Sequence, residues 1–175
     1  SKEHAIELLN QFTADKPNLD IHTSRLEIKK DPRVAFVFGG QGSIYSGMSK
    51  ELYQQQPIFA NALDECCNIL DGILDTSLLQ LMHSENEEAS RLLNGKAQYA
   101  QPALFSIQYA LSKMWMALGV TPCAVAGHSL GEYAAACMAG VLSLKDALYM
   151  VAERGRLTDT LDDQGSMLVV FSTLE

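Results

Sequence analysis

Five residues, Gly127-His128-Ser129-Leu130-Gly131, carry the spacing G-x-S-x-G, which offers covalent chemistry through a serine oxygen. Behind them lies a short apolar run, residues 124–126, set off by Pro122. Ahead lies an alanine-rich run that reads as helix. Strand, sharp turn and helix in that order form a nucleophile elbow, which holds the hydroxyl out at the end of the strand. The turn is tight enough that a side chain at Gly127 or Gly131 would meet neighbouring backbone. At the start of the following helix, free N–H groups and the helix dipole can stabilise a developing oxyanion. The competing reading is a glycine-rich turn whose serine only caps the helix.

A serine nucleophile needs a general base, normally histidine, within hydrogen-bond reach. The chain has His4, His22, His83 and His128. His128 adjoins the serine, so its ring leaves the elbow on the other side and is expected to pack and hydrogen-bond under the turn. His83 falls in a polar helical tail and is expected to be solvated, and His4 and His22 lie in the N-terminal segment. None follows Ser129, where the α/β-hydrolase order places the base. Arg154 is a second informative residue, because a guanidinium in an apolar-rich helix is costly to bury without a partner. It reads either as a salt bridge with Glu153 or Asp159, or as a bidentate clamp for a substrate carboxylate. A second glycine loop, Gly39-Gly40-Gln41-Gly42-Ser43, follows the β-branched and aromatic run 33–38. That run predicts a strand buried on both faces. Its loop is an ordinary turn or one whose backbone N–H groups face a substrate; it lacks the spacing of a phosphate loop.

The elements that must position these residues follow from periodicity. Residues 1–12 predict an amphipathic helix, and 13–32 a polar linker. Helices are expected at 48–55, 57–70, 74–82, 85–93 (closed by Asn94-Gly95) and 103–118, the last buried nearly all round and opened by Pro102. Ser143 and Asp146 resemble a capping box that opens a helix to about residue 161, and 167–171 predicts a further strand. The class is α/β with a parallel sheet. Of the 175 residues 47% are apolar, enough for one core, and the formal net charge of −8 argues against nucleic acid as a partner. No apolar run of about 18 residues is present, so no membrane span is expected. Vicinal Cys66 and Cys67 are expected to be core and surface neighbours. With Cys123 and Cys137 they form no zinc or C-x-x-C spacing, and all four read as reduced thiols of a cytosolic protein.

Four stretches, VAFVFGGQGSIYSGM, QPALFSIQYAL, GHSLGEYAAACMAGVLSLKDAL and VAERGRL, together resemble the malonyl-CoA:acyl-carrier-protein transacylase family, including the acyltransferase domains of type I polyketide synthases. The likeness runs from Arg33 to Glu175, in order. It implies an α/β-hydrolase-like acyltransferase core over 33–164, the first strand of a ferredoxin-like subdomain over 165–175, and a ketosynthase-to-acyltransferase type of linker over 1–32. It implies that Ser129 is the nucleophile, that the backbone N–H groups of Gln41 and Leu130 form the oxyanion hole, and that Arg154 holds the carboxylate of a malonyl-type unit. Gln101 matches a glutamine near the pocket. The implied reaction moves a malonyl-type group from coenzyme A, through an acyl-serine, to the phosphopantetheine thiol of an acyl carrier protein. Coenzyme A thioester is substrate, no cofactor or metal is bound, and neighbouring synthase domains are expected partners in a cytoplasmic setting. Ile44 and Gly39 depart from the usual glutamine and proline or threonine, and Leu130 resembles malonyl-selecting members. The resemblance further implies a chain that continues past Glu175 to the rest of the subdomain and a base histidine. The alternatives are a serine esterase or thioesterase, and a non-catalytic remnant serving as a docking module.

Overall fold

The computed structural model describes residues 1–14, 16, 18–23, 33–42, 44–84, 86–161 and 170. The chain divides into two compact units, Ser1–Pro32 and Arg33–Glu175. In the first, Lys2–Thr13 forms helix α1, with the Ser1 hydroxyl accepting a hydrogen bond from the His4 amide. Within that unit its apolar residues Ile6, Leu9 and Phe12 have no cover. The strand expected at 167–171 lies outside the described residues except for Val170.

The second unit is built on helices α2 (Lys50–Gln55), α3 (Pro57–Leu70), α4 (Leu78–His83), α5 (Glu87–Gly95), α6 (Ala97–Ala117), α7 (Gly131–Met138) and α8 (Leu144–Thr158). Strands β1 (Ala35–Phe38) and β2 (Ala124–Gly127) pair in parallel, with Ala35 opposite Ala124 and Phe38 opposite Gly127. In α3, Pro57 opens the first turn, and Phe59, Ala62, Leu63, Cys66, Cys67 and Leu70 recur at helical spacing and are buried. They pack with Phe105 of α6 and Leu148 and Val151 of α8. Each such side chain taken fully from water contributes about 1.5–3 kcal/mol.

Several elements depart from sequence expectation, each for a physical reason. β1 is not buried on both faces: Phe36 and Phe38 turn inward while Ala35 and Val37 are exposed, and β2 alternates in the same phase. Among the described residues the two-stranded sheet is thus covered on one face only. Cys66 and Cys67 are both buried, and burial pushes the Cys67 thiol up to about 12. Helix α6 begins at Ala97, five residues before Pro102, which sits inside it. Proline removes an N–H and is poor in a helix interior. The turn before it is held instead from far along the chain: Asp159, just past α8, accepts from the amides of Ala97 (2.9 Å) and Gln98 (3.0 Å). Gly155 of α8 lies against the same end, where a side chain would be driven into the Ala97 carbonyl. The far end of α6 is not buried all round, since Trp115 and Met116 are exposed. Gly95 ends α5 without a left-handed turn, and the single residue Lys96 caps α5 and opens α6. Ser143 caps α8 as expected, its hydroxyl accepting from the Asp146 amide and donating to the Asp146 carboxylate.

His83 is not solvated. It closes α4 half-buried, its Nε2 lies 3.1 Å from the Ser49 hydroxyl, and its ring tilts against Tyr53, whose own hydroxyl donates to Asp64. The Gly47 amide donates to the Met82 carbonyl and the Ser46 hydroxyl to the Ser84 carbonyl, so the segment after the first glycine loop is tied to the end of α4. Burial, then the charge of Lys50, lowers the His83 pKa; Asp64 opposes them. A histidine whose pKa is lowered in the folded state stays neutral there while the unfolded chain takes up a proton. Its contribution is therefore whole above about pH 6.5, the ordinary imidazole value, and is lost as pH falls toward the lowered folded value. Denaturant unfolding followed from about pH 7.5 to 5 should show stability falling below about pH 6.5. His83→Gln should flatten that slope; an unchanged slope would assign it to other groups.

Candidate active site

Residues 127–131 form the sharp turn that the spacing demands. The His128 amide donates to the Phe38 carbonyl at 2.9 Å, continuing the β1–β2 pairing by one step. The Gly131 amide then donates to the His128 carbonyl (3.0 Å) and the Glu132 amide to the Ser129 carbonyl (3.1 Å), so that α7 starts almost at the serine. A side chain at Gly127 would collide with the backbone of Gly131 and Glu132, and one at Gly131 with the carbonyls of Phe38 and Gly39. Between these glycines, Ser129 has φ of 53°, in the left-handed region, where a non-glycine residue costs about 1–2 kcal/mol. The chain holds Ser129 in this strained conformation because both flanks are fixed. The strand is paired behind it, and Leu130 is fully buried ahead of it.

The first glycine loop closes over the elbow. A Cβ on Gly40 would stand 3.0 Å from His128 Nδ1 and 3.5 Å from Ser129 Cβ, so a side chain there would press on the His128 ring. His128 is therefore not packed beneath the turn. Its backbone serves the turn, while the residue itself is exposed with its ring beside Gly40. Among the described residues the amides of Gln41 and Leu130 have no acceptor; Leu130 follows the serine, and Gln41 follows the glycine that lies against it.

Two polar side chains of α6 hold the loop. Gln108 Nε2 donates to the Gly39 carbonyl at 2.8 Å, and Gln101 Nε2 donates to Gln41 Oε1 at 3.1 Å. Gln101 is 1% exposed and uses its other atom as well, Oε1 accepting from Arg154 Nη1 at 2.7 Å. The salt bridges open to Arg154 on the sequence do not form. Glu153 pairs with Arg156 (2.5 Å), and Asp159 spends its carboxylate on the start of α6. Among the described residues Arg154 thus has no acidic partner. Half-buried, it stands on the wall of a groove of about 490 Å³ lined also by Tyr133, Met150 and Leu157. A cation of this kind is suited to a carboxylate brought in from outside.

Ser129, Gln41, Leu130, Gln101 and Arg154 are therefore linked by contact or by sequence adjacency, drawn from the β2–α7 elbow, α6, α8 and the loop after β1. No described histidine is hydrogen-bonded to Ser129. Sequence reasoning missed Gln108 and Gly155, and read Asp159 as a partner of Arg154 where it holds the start of α6. The spacing of Gln101 and Gln108, two helical turns apart in an apolar stretch, was a readable signal. For the role of Asp159 at a helix start 61 and 62 residues away none existed. Among the described residues no group of three or more His, Cys, Asp or Glu could hold a metal ion, and no helix is long and apolar enough to cross a membrane.

Comparison with known proteins gives consistent results. The profile of the family described as acyl transferase domain matches residues 35–174. A PKS-NRPS hybrid synthetase of Aspergillus candidus is 44% identical over 137 residues, which are 78% of this chain and 6% of that protein. The orsellinic acid synthase of Armillaria mellea is 41% identical over 155 residues, 86% of this chain and 7% of that one. Among solved structures, the acyltransferase domain from the second module of the salinomycin polyketide synthase aligns with a TM-score of 0.73 and 39% identity, covering 93% of this chain and 36% of that one. The malonyl CoA-acyl carrier protein transacylase of Coxiella burnetii aligns with a TM-score of 0.63 and 38% identity, covering 72% and 38%. The chain spans less than a tenth of these curated relatives and little more than a third of these solved chains.

The strain at Ser129 is measurable. Ser129→Gly relieves it and Ser129→Ala does not, so the glycine variant should be the more stable of the two by about 1 kcal/mol in denaturant unfolding. In an unstrained helix or strand the order would be reversed, and that outcome would remove the elbow.

Proposed function

The chain belongs to the acyl transferase domain family, and on that premise we propose that it carries the nucleophile and carboxylate-binding half of an acyltransferase of the polyketide-synthase type. In this reading Ser129 Oγ attacks the carbonyl of a malonyl-type coenzyme A thioester. A general base takes the hydroxyl proton, and the carbonyl oxygen, now an oxyanion, accepts from the Gln41 and Leu130 amides. Collapse breaks the C–S bond and releases the coenzyme A thiol, reprotonated by the same base. The phosphopantetheine thiol of an acyl carrier protein then attacks the serine ester, and Ser129 is regenerated. The base is a histidine supplied from outside the described residues. Coenzyme A enters as substrate, and no cofactor is called for. Residues 33–164 would be the acyltransferase core, 165–175 the start of a ferredoxin-like subdomain, and 1–32 a linker to a neighbouring synthase domain, in a cytoplasmic protein.

One observation carries the substrate class: Arg154 stands on the wall of a groove with an amide for a partner and, among the described residues, no acid. Malonyl differs from acetyl by one carboxylate, and a cation so placed has most to gain from the substrate that brings it. A hydrolase of neutral esters has no use for such a charge.

Two measurements test this in a protein that includes the remainder of the acyltransferase domain. Incubated with malonyl-CoA, the intact protein should gain the mass of one malonyl group on Ser129, and Ser129→Ala should gain none. Rapid release of free malonate without carrier would favour hydrolysis instead. Arg154→Ala should lower the malonyl-to-acetyl ratio of kcat/KM about ten- to a hundredfold, the value of a charged hydrogen bond of about 1.5–3 kcal/mol. Lysine should restore it only in part, lacking the planar fork. An unchanged ratio would make Arg154 a structural residue.

A further inference from the structure

A guanidinium donates hydrogen bonds and accepts none. Arg154 Nη1 therefore compels Gln101 to turn its oxygen toward it, and Gln101 must turn its NH2 the other way, onto Gln41. Gln41 must in turn offer its oxygen, which leaves its own NH2 directed away from Gln101. Gln41 itself is exposed, next in the chain to the glycine that abuts Ser129. Three side chains from α8, α6 and the loop after β1 thus form a relay with one polarity, and the charge at Arg154 sets it.

We infer that Gln101 is a positioning residue through which Arg154 fixes the Gln41 side-chain amide with its hydrogens toward the cleft, coupling the cation that receives the acyl carboxylate to a hydrogen-bond donor beside the reacting carbonyl. This rests on the acyl-transfer reading and adds to it a role for the Gln41 side chain, separate from its backbone amide. The relay does not merely hold the loop in place. Gln108 grips the Gly39 carbonyl independently, two turns further along α6, and the close approach of Gly40 to His128 and Ser129 involves neither glutamine side chain. Gln101 is buried, so its amide has no water to satisfy it in a reversed orientation, and reversal would set its NH2 against the guanidinium. One consequence is that Arg154 acts on substrates with no carboxylate. It orients Gln41 whether or not it holds an anion, and the remaining N–H groups of its fork stay available to one.

Gln101→Glu tests the polarity rather than the presence of the relay. The introduced carboxylate accepts from Arg154 as the Gln101 oxygen does, but has no N–H for Gln41. Gln41 must then reverse, giving its NH2 to that carboxylate and its oxygen to the cleft. In the protein carrying the whole acyltransferase domain, kcat for Ser129 acylation by acetyl-CoA should fall about tenfold with KM unchanged. KM for malonyl-CoA should rise as well, because the introduced carboxylate competes for Arg154. Gln41→Met, on the exposed loop, should lower kcat about tenfold for both thioesters. The double variant should be little worse than either single one. If Gln101→Glu is too unstable to purify, the cycle of Gln41→Met with Arg154→Met on acetyl-CoA reads the same coupling. Additive losses in either cycle, or an unchanged acetyl kcat in Gln101→Glu, would overturn the relay while leaving acyl transfer intact. Failure of Ser129 to acylate in the unsubstituted protein would overturn the transfer reading and the relay with it.

Discussion

The Asp159 carboxylate, set across the first two amides of α6, is the contact on which the geometry of this cleft depends. It satisfies donors that a helix start leaves free, and places negative charge at the positive end of the helix dipole. It also fixes where α8 meets α6. Gly155 allows the two backbones to touch at that point, and with the helices so close Arg154 and Gln101 face each other at 2.7 Å. A longer separation would leave the guanidinium looking for an acid. The carboxylate is thus structural: it is engaged by α6 and not by Arg154.

A second constraint acts on the other side of the cleft. Gly131 sits on the carbonyls of Phe38 and Gly39, and Gly127 on the backbone of Gly131 and Glu132, so the end of β1 and the elbow interlock backbone against backbone. Backbone contacts of this kind have little freedom to adjust. The unfavourable φ of Ser129 persists because strand pairing holds the chain before it and burial of Leu130 holds the chain after it. The cleft therefore joins one rigid pair, loop and elbow, to another, α6 and α8, and the two glutamines of α6 bridge them.

What the sequence discloses follows from how local each determinant is. The elbow was legible because strand, glycines, serine and helix start are neighbours in the chain, and each needs only those neighbours to explain it. α3 and α8 were legible for the same reason: Pro57 and the Ser143 cap mark their starts, and apolar spacing marks the face they bury. Pro102 misled, because its usual place is a first turn, and what sustains the helix before it comes from 61 and 62 residues away. His83 misled likewise, since Ser49, 34 residues earlier, gives the partner that its polar surroundings in sequence do not suggest. Gln101 could be placed from sequence only through family likeness, although its spacing from Gln108 held a physical clue. The strand β1, read as buried on both faces, shows the limit of composition: which faces are covered depends on how many layers surround the sheet.

The placement of Asp159 also bears on the order in which the chain can fold. The first turn of α6 precedes a proline and lacks a side-chain cap of its own, so in isolation it is a poor place for a helix to begin. It becomes favourable only once the end of α8 has arrived, a contact of long sequence separation whose loop entropy must be met first. The helical turn at residues 97–101 thus draws its support from the end of α8. Gln101 and Arg154 meet between the same two helices. The packing that closes the hydrophobic core between α6 and α8 is the same packing that brings the amide to the guanidinium.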